Sequence, residues 1–299
     1  MKILVTGANG QVGWELSRRG AKKGFHILAL DRAGLDITDQ SAVTRTVRSS
    51  GAALVVNGAG YTAVDQAESE SEMAFAVNFD GAANLASACA EAGIPLIHIS
   101  TDFVFDGKKK GPYRETDQVS PLNVYGKSKA AGETGVRERL QEHIILRTAW
   151  LYGVHGRNFV KTMLRLGQER DLIQVVADQH GCPTYSADLA EAILRIVVKA
   201  REDRQLSWGT YHYCGKGITT WHGLAQETLD LASRHTSLRV KEIKPISTAE
   251  YPTPAKRPAN SVLDCSLIEK TFNIHPRPWQ ESLAQMIKVL FSVEKSNNS

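Results

Sequence analysis

The chain has 299 residues, 42% hydrophobic and 23% charged, with a formal net charge of +4, the mixture of a globular protein with a sizeable core in one large or two ordinary domains. Its basic residues are scattered apart from the triplet Lys108, Lys109 and Lys110, which excludes a nucleic-acid partner as the leading reading, and no apolar run approaches the roughly 20 residues of a membrane span. Cys89, Cys182, Cys214 and Cys265 lie far apart without a CxxC pair, so neither a zinc site nor a disulfide framework is suggested and a reducing, cytoplasmic compartment is expected.

In chain order, Lys2-Ile-Leu-Val-Thr6 reads as a buried strand, followed by Gly7-Ala-Asn-Gly10-Gln11-Val12-Gly13 and a helix. The glycines let the backbone turn tightly and let a diphosphate approach the helix N-terminus, whose free N–H groups and dipole favour negative charge. Gly7 also arrives too early for the apolar core of a signal peptide. A second strand over residues 25–30 ends on Asp31, 24 residues after Gly7, where an acid accepting from a ribose diol is expected. Asp31 favours NAD, whereas Arg32 beside it suits the 2′-phosphate of NADP; the pair leaves both open. Asp36 and Ile37 flank the adenine in this reading, with a helix N-cap as the ordinary alternative for Asp36.

A third strand over residues 53–57 runs into small residues before Gly60, Tyr61 and Thr62, leaving space for a cofactor across the strand ends. A helix around residues 73–92 breaks at Gly93-Ile-Pro95, and a fourth strand, Leu96-Ile-His-Ile99-Ser100, delivers Thr101 and Asp102. Strands alternating with helices predict a doubly wound α/β, Rossmann-like parallel sheet, with ligands at the carboxyl ends of its strands. Ser120-Pro-Leu-Asn123 starts the next helix, and there Tyr125 and Lys129 stand four residues apart. On a helix they share a face, and an ammonium beside a phenol favours its ionised form. Taken alone, such a pair is more often part of a solvated helix face. Tyr125 and Thr101 could nonetheless face a common carbonyl.

After a strand over residues 143–147, the stretch around Trp150 marks the border of the nucleotide domain. Residues 1–149 form that domain and residues 150–299 mainly the substrate domain, with parts of 174–215 returning to the first. Trp150 suits a core position or a wall for a ring-shaped substrate. The Pro-rich, basic stretch from Tyr251 to Asn260 carries Arg257, which can grip a phosphate with two nitrogens or sit on an ordinary surface loop. The polar tail from Lys295 onward is expected to fray.

Gly7-x-x-Gly10-x-x-Gly13 with Tyr125-x-x-x-Lys129 resembles the extended short-chain dehydrogenase/reductases. Residues 100–107, 120–127, 147–150, 178–184 and 257–261 narrow the resemblance to the dTDP-4-dehydrorhamnose reductases, over nearly the whole chain. The resemblance implies NAD(P)H-dependent reduction of a 4-keto sugar nucleotide, with Tyr125 as proton donor, Lys129 lowering its pKa and holding the nicotinamide ribose, and Thr101 bonding the carbonyl oxygen. It matches Gly10, Gln11, Val12, Asp31, Asp36, Ile37, Gly60, Tyr61, Thr62 and Ile99 to cofactor contacts, and Thr101, Asp102 and Trp150 to sugar-nucleotide contacts. Some members are homodimers bridged by magnesium. Glu15 matches one ligand, but Asp188 stands where glutamate is expected, so no metal is assigned. Dehydratases on the same scaffold carry glutamate after Thr-Asp, where this chain has Phe103. A second alternative, the dinucleotide-binding regulatory subunit of methionine adenosyltransferase, is disfavoured by Trp150 and Thr101.

Overall fold

The computed structural model describes residues 1–202 and 206–297. In β1 (Lys2–Thr6) Ile3 and Val5 point to one face and Leu4 to the other, and all three are fully buried. A strand covered on both faces belongs inside a parallel sheet with helices on either side. It turns at Gly7 into α1 (Gln11–Lys22), then β2 (His26–Leu30), α2 (Gln40–Ser50) and β3 (Leu54–Asn57). Asp39 caps α2 through Ala42 N, and Gly51 ends it in the left-handed region.

The expected helix over residues 73–92 is interrupted: α3 (Ser71–Phe75) passes through a π-helical turn, Ala76–Asp80, into α4 (Gly81–Ala92). Gly93 then closes α4 and admits β4 (Leu96–Thr101). Asn123 caps α5 (Val124–Arg139) through Gly126 N, and β5 (His143–Thr148) follows. The remaining elements are β6 (Leu151–Tyr152), α6 (Phe159–Glu169), β7 (Leu172–Val176), β8 (His180–Gly181), β9 (Thr184–Tyr185), α7 (Ser186–Glu202) and β10 (Gly209–His212). They are followed by β11 (Thr219–Thr220), α8 (Trp221–Ser233), β12 (Glu242–Ile246), α9 (Ser266–Phe272) and α10 (Trp279–Asn297). The frayed tail expected from Lys295 is helical through Asn297, and Asn298 and Ser299 lie outside the described residues.

The central sheet has the order β10-β5-β4-β3-β1-β2, parallel throughout. Strand order reverses at β1, with β2 on one side and β3 on the other, so a crevice opens at their carboxyl ends. Helices α1, α7 and α9 cover one face and α2, α4 and α5 the other. A second cluster of elements stands beyond these carboxyl ends: β7 pairs with β12, β6 with β9 and β8 with β11, and α6, α8 and α10 enclose its apolar interior. The chain therefore leaves the main layers after β5 and re-enters them with α7 and β10. No helix among the described residues is long and apolar enough to cross a membrane.

Candidate active site

The crevice begins at the glycine turn. Gly7 has φ +72°, and a Cβ there would lie 2.6 Å from Gly58 and from Ala59 N. Only glycine lets the turns after β1 and β3 meet this closely. A Cβ on Gly13 would lie 2.3 Å from Gly7 O, so the first turn of α1 sits directly on the loop. Helix α1 has no side-chain cap and no acid in its first turn, which leaves the N–H groups of Gln11, Val12 and Gly13 facing an anion-binding space. Asp31, just past β2, accepts from Asn9 Nδ2 at 2.7 Å and Gly34 N at 3.0 Å. Arg32 is mostly exposed, with Nε 3.4 Å from Asp36 Oδ2. Asp36 is not the cap of α2; it accepts from Thr38 N and Oγ1, which holds its carboxyl below its ordinary value. Ile37 is a core residue packed on α4, so only its backbone is available to a ligand.

On the other side of the crevice, a Cβ on Gly60 would lie 3.2 Å from Asn78 Oδ1 and 3.9 Å from Lys129 Nζ, so the bare glycine leaves space beside the ammonium. Tyr61 is fixed by Asn78, whose side chain accepts from Tyr61 N at 2.8 Å and donates to Tyr61 O at 3.1 Å, while the Tyr61 hydroxyl donates to Glu70. Thr62 is exposed on the following loop. Asn78 sits in the π-helical turn and also donates to Ser128 Oγ, tying that turn to α5.

Tyr125 and Lys129 are not on a solvated face. Gly126 lets α5 press against the turn after β4, since a Cβ there would lie 2.3 Å from Phe103 O. Tyr125 consequently meets Thr101 side chain to side chain, with the Phe103 ring edge-on at 5.5 Å. Lys129 is buried and donates to Ile99 O at 2.7 Å. Burial pushes the Tyr125 phenol up to about 12; the hydrogen bond with Thr101 pulls it down, and the nearby Asp102 carboxyl raises it. The lowering contact is Thr101, and burial brings Lys129 itself down to about 8, opposed by Glu133. Asp102 is buried, accepts from Thr101 Oγ1 at 3.0 Å, leaves Oδ2 without a partner, and is raised to about 6 by burial.

The second cluster closes over this row. Trp150 holds φ +47°, a strained value for a bulky residue. Its indole stacks on Trp221 at 3.7 Å, lies against Gly181, and donates from Nε1 to Ser261 Oγ at 3.1 Å. Ser261 Oγ in turn donates to His180 O at 3.4 Å, so one hydroxyl ties the Trp150 indole to β8. Arg257 departs from the free phosphate grip read from sequence: Nη1 and Nη2 donate to Asp65 Oδ1 and Oδ2 at 3.0 and 2.7 Å. Glu15 is paired with Arg19, and Asp188 with Ser282 and Arg277. No group of three or more metal-binding side chains occurs among the described residues. Sequence reasoning missed Asn78, Asp65, Trp221 and Ser261; the Asn-Ser-Val that follows Pro258-Ala was the one local signal for Ser261.

A glycine turn at the strand-order reversal, an acid after the second strand and a Tyr–Lys pair on α5, half-buried at Tyr125 and buried at Lys129, facing Thr101 define a nicotinamide-dependent oxidoreductase of the short-chain dehydrogenase/reductase class. The family model described as RmlD substrate binding domain matches residues 1–292. A dTDP-4-dehydrorhamnose reductase of Aggregatibacter actinomycetemcomitans is 44% identical over 94% of this chain and 97% of its own. A solved dTDP-4-dehydrorhamnose reductase from Clostridium acetobutylicum superposes with TM-score 0.91 at 41% identity, covering 97% and 99% of the two chains. One from Bacillus anthracis, in complex with NADP, gives 0.89 at 38%, covering 96% and 99%. The chain belongs to the dTDP-4-dehydrorhamnose reductase family.

Proposed function

We propose that this chain reduces the 4-keto group of dTDP-4-dehydro-β-L-rhamnose to give dTDP-L-rhamnose, with Tyr125 as proton donor. The observation that carries the reading is the approach of the half-buried Tyr125 to Thr101 above the buried Lys129, at the mouth of the dinucleotide crevice. NAD(P)H, when bound, supplies the hydride to C4. Tyr125 then gives its proton to the C4 alkoxide, and solvent restores the phenol. A phenol near 12 stays protonated at neutral pH and is less acidic than the carboxyls around it, so it is the acid form that meets the substrate. Thr101 aligns the carbonyl oxygen with the phenol and stabilises the charge that develops there. Lys129, anchored to Ile99 O beside Gly60, offers its remaining N–H groups to the nicotinamide ribose. Asp102 Oδ2 accepts from a sugar hydroxyl, and Trp150 forms a wall of the sugar pocket.

Asp31 holds the adenosine ribose and Arg32 takes a 2′-phosphate, so both NADH and NADPH serve. Four free thiols fit a cytoplasmic enzyme. In place of the glutamate that dehydration needs, Phe103 presents its ring to Tyr125. The test is oxidation of NADPH and NADH with the 4-keto sugar nucleotide generated in place, for wild type and Tyr125→Phe. Loss of about 10²–10⁴-fold in kcat with dinucleotide binding retained is expected. Tight dinucleotide binding without turnover in the wild type would overturn the reading and favour a binding partner of another enzyme.

A further inference from the structure

Behind the Tyr125–Lys129 pair, one turn further along α5, lies Glu133, buried to 1% exposure. Its Oε1 accepts from Ser100 Oγ at 2.6 Å and Arg147 Nε at 2.8 Å; its Oε2 accepts from Arg147 Nη2 at 2.7 Å and Arg137 Nη2 at 2.6 Å. Arg147 is equally buried, with its guanidinium over the Phe105 ring. Tyr125, Lys129 and Glu133 repeat at four-residue intervals and form one stripe of the helix. Opposite them, consecutive β4 residues answer each one: Ile99 O holds Lys129, Ser100 holds Glu133 and Thr101 meets Tyr125.

We propose that Glu133 is a positioning residue of the reaction: clamped by Arg147 and Ser100, it locks the α5 stripe in register with β4 and supplies the counter-charge to the Lys129 ammonium. The proposal rests on the reading of Lys129 as the ribose-holding cation. Without that carboxylate, Lys129 would be a desolvated cation with two arginines close behind it. The other groups facing Lys129 leave it unbalanced. On β4, His98 is held neutral by burial; Gly60 and Asn78 carry no charge; Tyr125 stays protonated. Around Glu133, His143 is lowered and His212 is brought to about 3 by burial, so neither contributes charge near neutrality. Burial takes Lys129 down to about 8 and Glu133 opposes it, which places the loss of its proton just above neutral pH.

The experiment measures dinucleotide Kd, and separately kcat/KM, across pH 6 to 10 for wild type, Glu133→Gln and Arg147→Gln. In Glu133→Gln the alkaline limb of both profiles moves about one unit or more toward acid, roughly a fivefold loss at pH 8 for the first unit. Arg147→Gln breaks the same clamp but keeps the carboxylate, and its limb stays or moves toward alkali. Should Glu133→Gln fail to fold, the paired replacement Glu133→Gln/Arg147→Met removes both charges, a change buried ion pairs often tolerate, and shifts the limb toward acid by no more than the single Glu133→Gln change. Limbs that move together in the two single variants, or in neither, would reduce Glu133 to a packing role and overturn the proposal. Because Kd is read without sugar substrate, an enzyme that binds dinucleotide yet turns nothing over still tests Glu133 while sinking the reductase reading.

Discussion

Arg257 and Asp65 are joined fork to fork, at 2.7 and 3.0 Å, across the two halves of the molecule. The loop of Asp65 follows β3 and runs into Glu68, which accepts from Val124 N; the loop of Arg257 continues from Lys256, whose carbonyl accepts from Asn123 Nδ2. The pair therefore fastens two loops onto the helix end that carries Tyr125.

From this clasp, Asp65→Ala and Arg257→Ala are each expected to raise KM for the sugar nucleotide about tenfold, as the two loops lose their fastening to the helix end that carries Tyr125, with little change in dinucleotide Kd. Stability should fall by no more than about 1 kcal/mol, because the pair is partly exposed. If Arg257 also reaches the diphosphate of the substrate, its replacement will exceed that of Asp65 in KM. Steady-state kinetics of the two variants side by side decides this.

Cofactor choice is expected to divide between neighbours. Arg32→Ala should weaken NADPH about tenfold and leave NADH unchanged, since the loosely held Arg32 guanidinium is free to turn to a 2′-phosphate. Asp31→Ala should weaken NADH more than NADPH, with the added loss of the Asn9 contact that braces the glycine turn. Fluorescence titration with both dinucleotides reads the two effects.

Asp102 is raised from 3.8 to about 6 by burial. Its folded form holds the proton more tightly than its unfolded form, so stability from this group is greatest below about pH 4 and is lost as pH climbs through 6, by about 3 kcal/mol. Asp102→Asn should flatten the Tm profile over that window and raise Tm at pH 7, while sugar binding weakens. A Tm profile indistinguishable from wild type would show that the carboxyl is stabilised in its ionised form.

Lys129 carries the opposite sign. With its folded pKa at about 8 against an ordinary 10.5, the charged amine is disfavoured by folding at all pH values below 8, and stability recovers as pH rises toward 10.5. Lys129→Met should therefore be more stable than wild type at pH 7, by up to about 3 kcal/mol. Dinucleotide binding and turnover should both collapse in the same protein. Calorimetry paired with a binding titration measures the trade.

Much of the cofactor half was legible from residue spacing, because its chemistry is local. Gly7, Gly10 and Gly13 sit on one strand–helix turn, Asp31 ends the adjacent strand, and Tyr125 and Lys129 share one helical face, so periodicity and turn chemistry are enough to place them. What spacing could not supply was burial: the same Tyr–Lys interval fits a wet helix, and only the packing of Gly126 on Phe103 O leaves Tyr125 half-buried and Lys129 fully so. The π-helical turn that aims Asn78 at Ser128 leaves no periodic trace in a stretch that reads as plain helix.

The second half was legible only as motifs, because its contacts join residues distant along the chain. Arg257 finds Asp65 across 192 residues, and Trp150 finds Ser261 across 111. Cys214 and Cys265, read as unrelated, touch at 3.6 Å. Such pairs depend on where strands and loops are carried by the packing of whole layers, and local conformational preference has no bearing on which distant partner arrives. Composition and short-range pattern thus determined the nucleotide fold and the candidate reacting groups; tertiary packing alone decided their desolvation, their charge partners, and the strained Trp150 beside them.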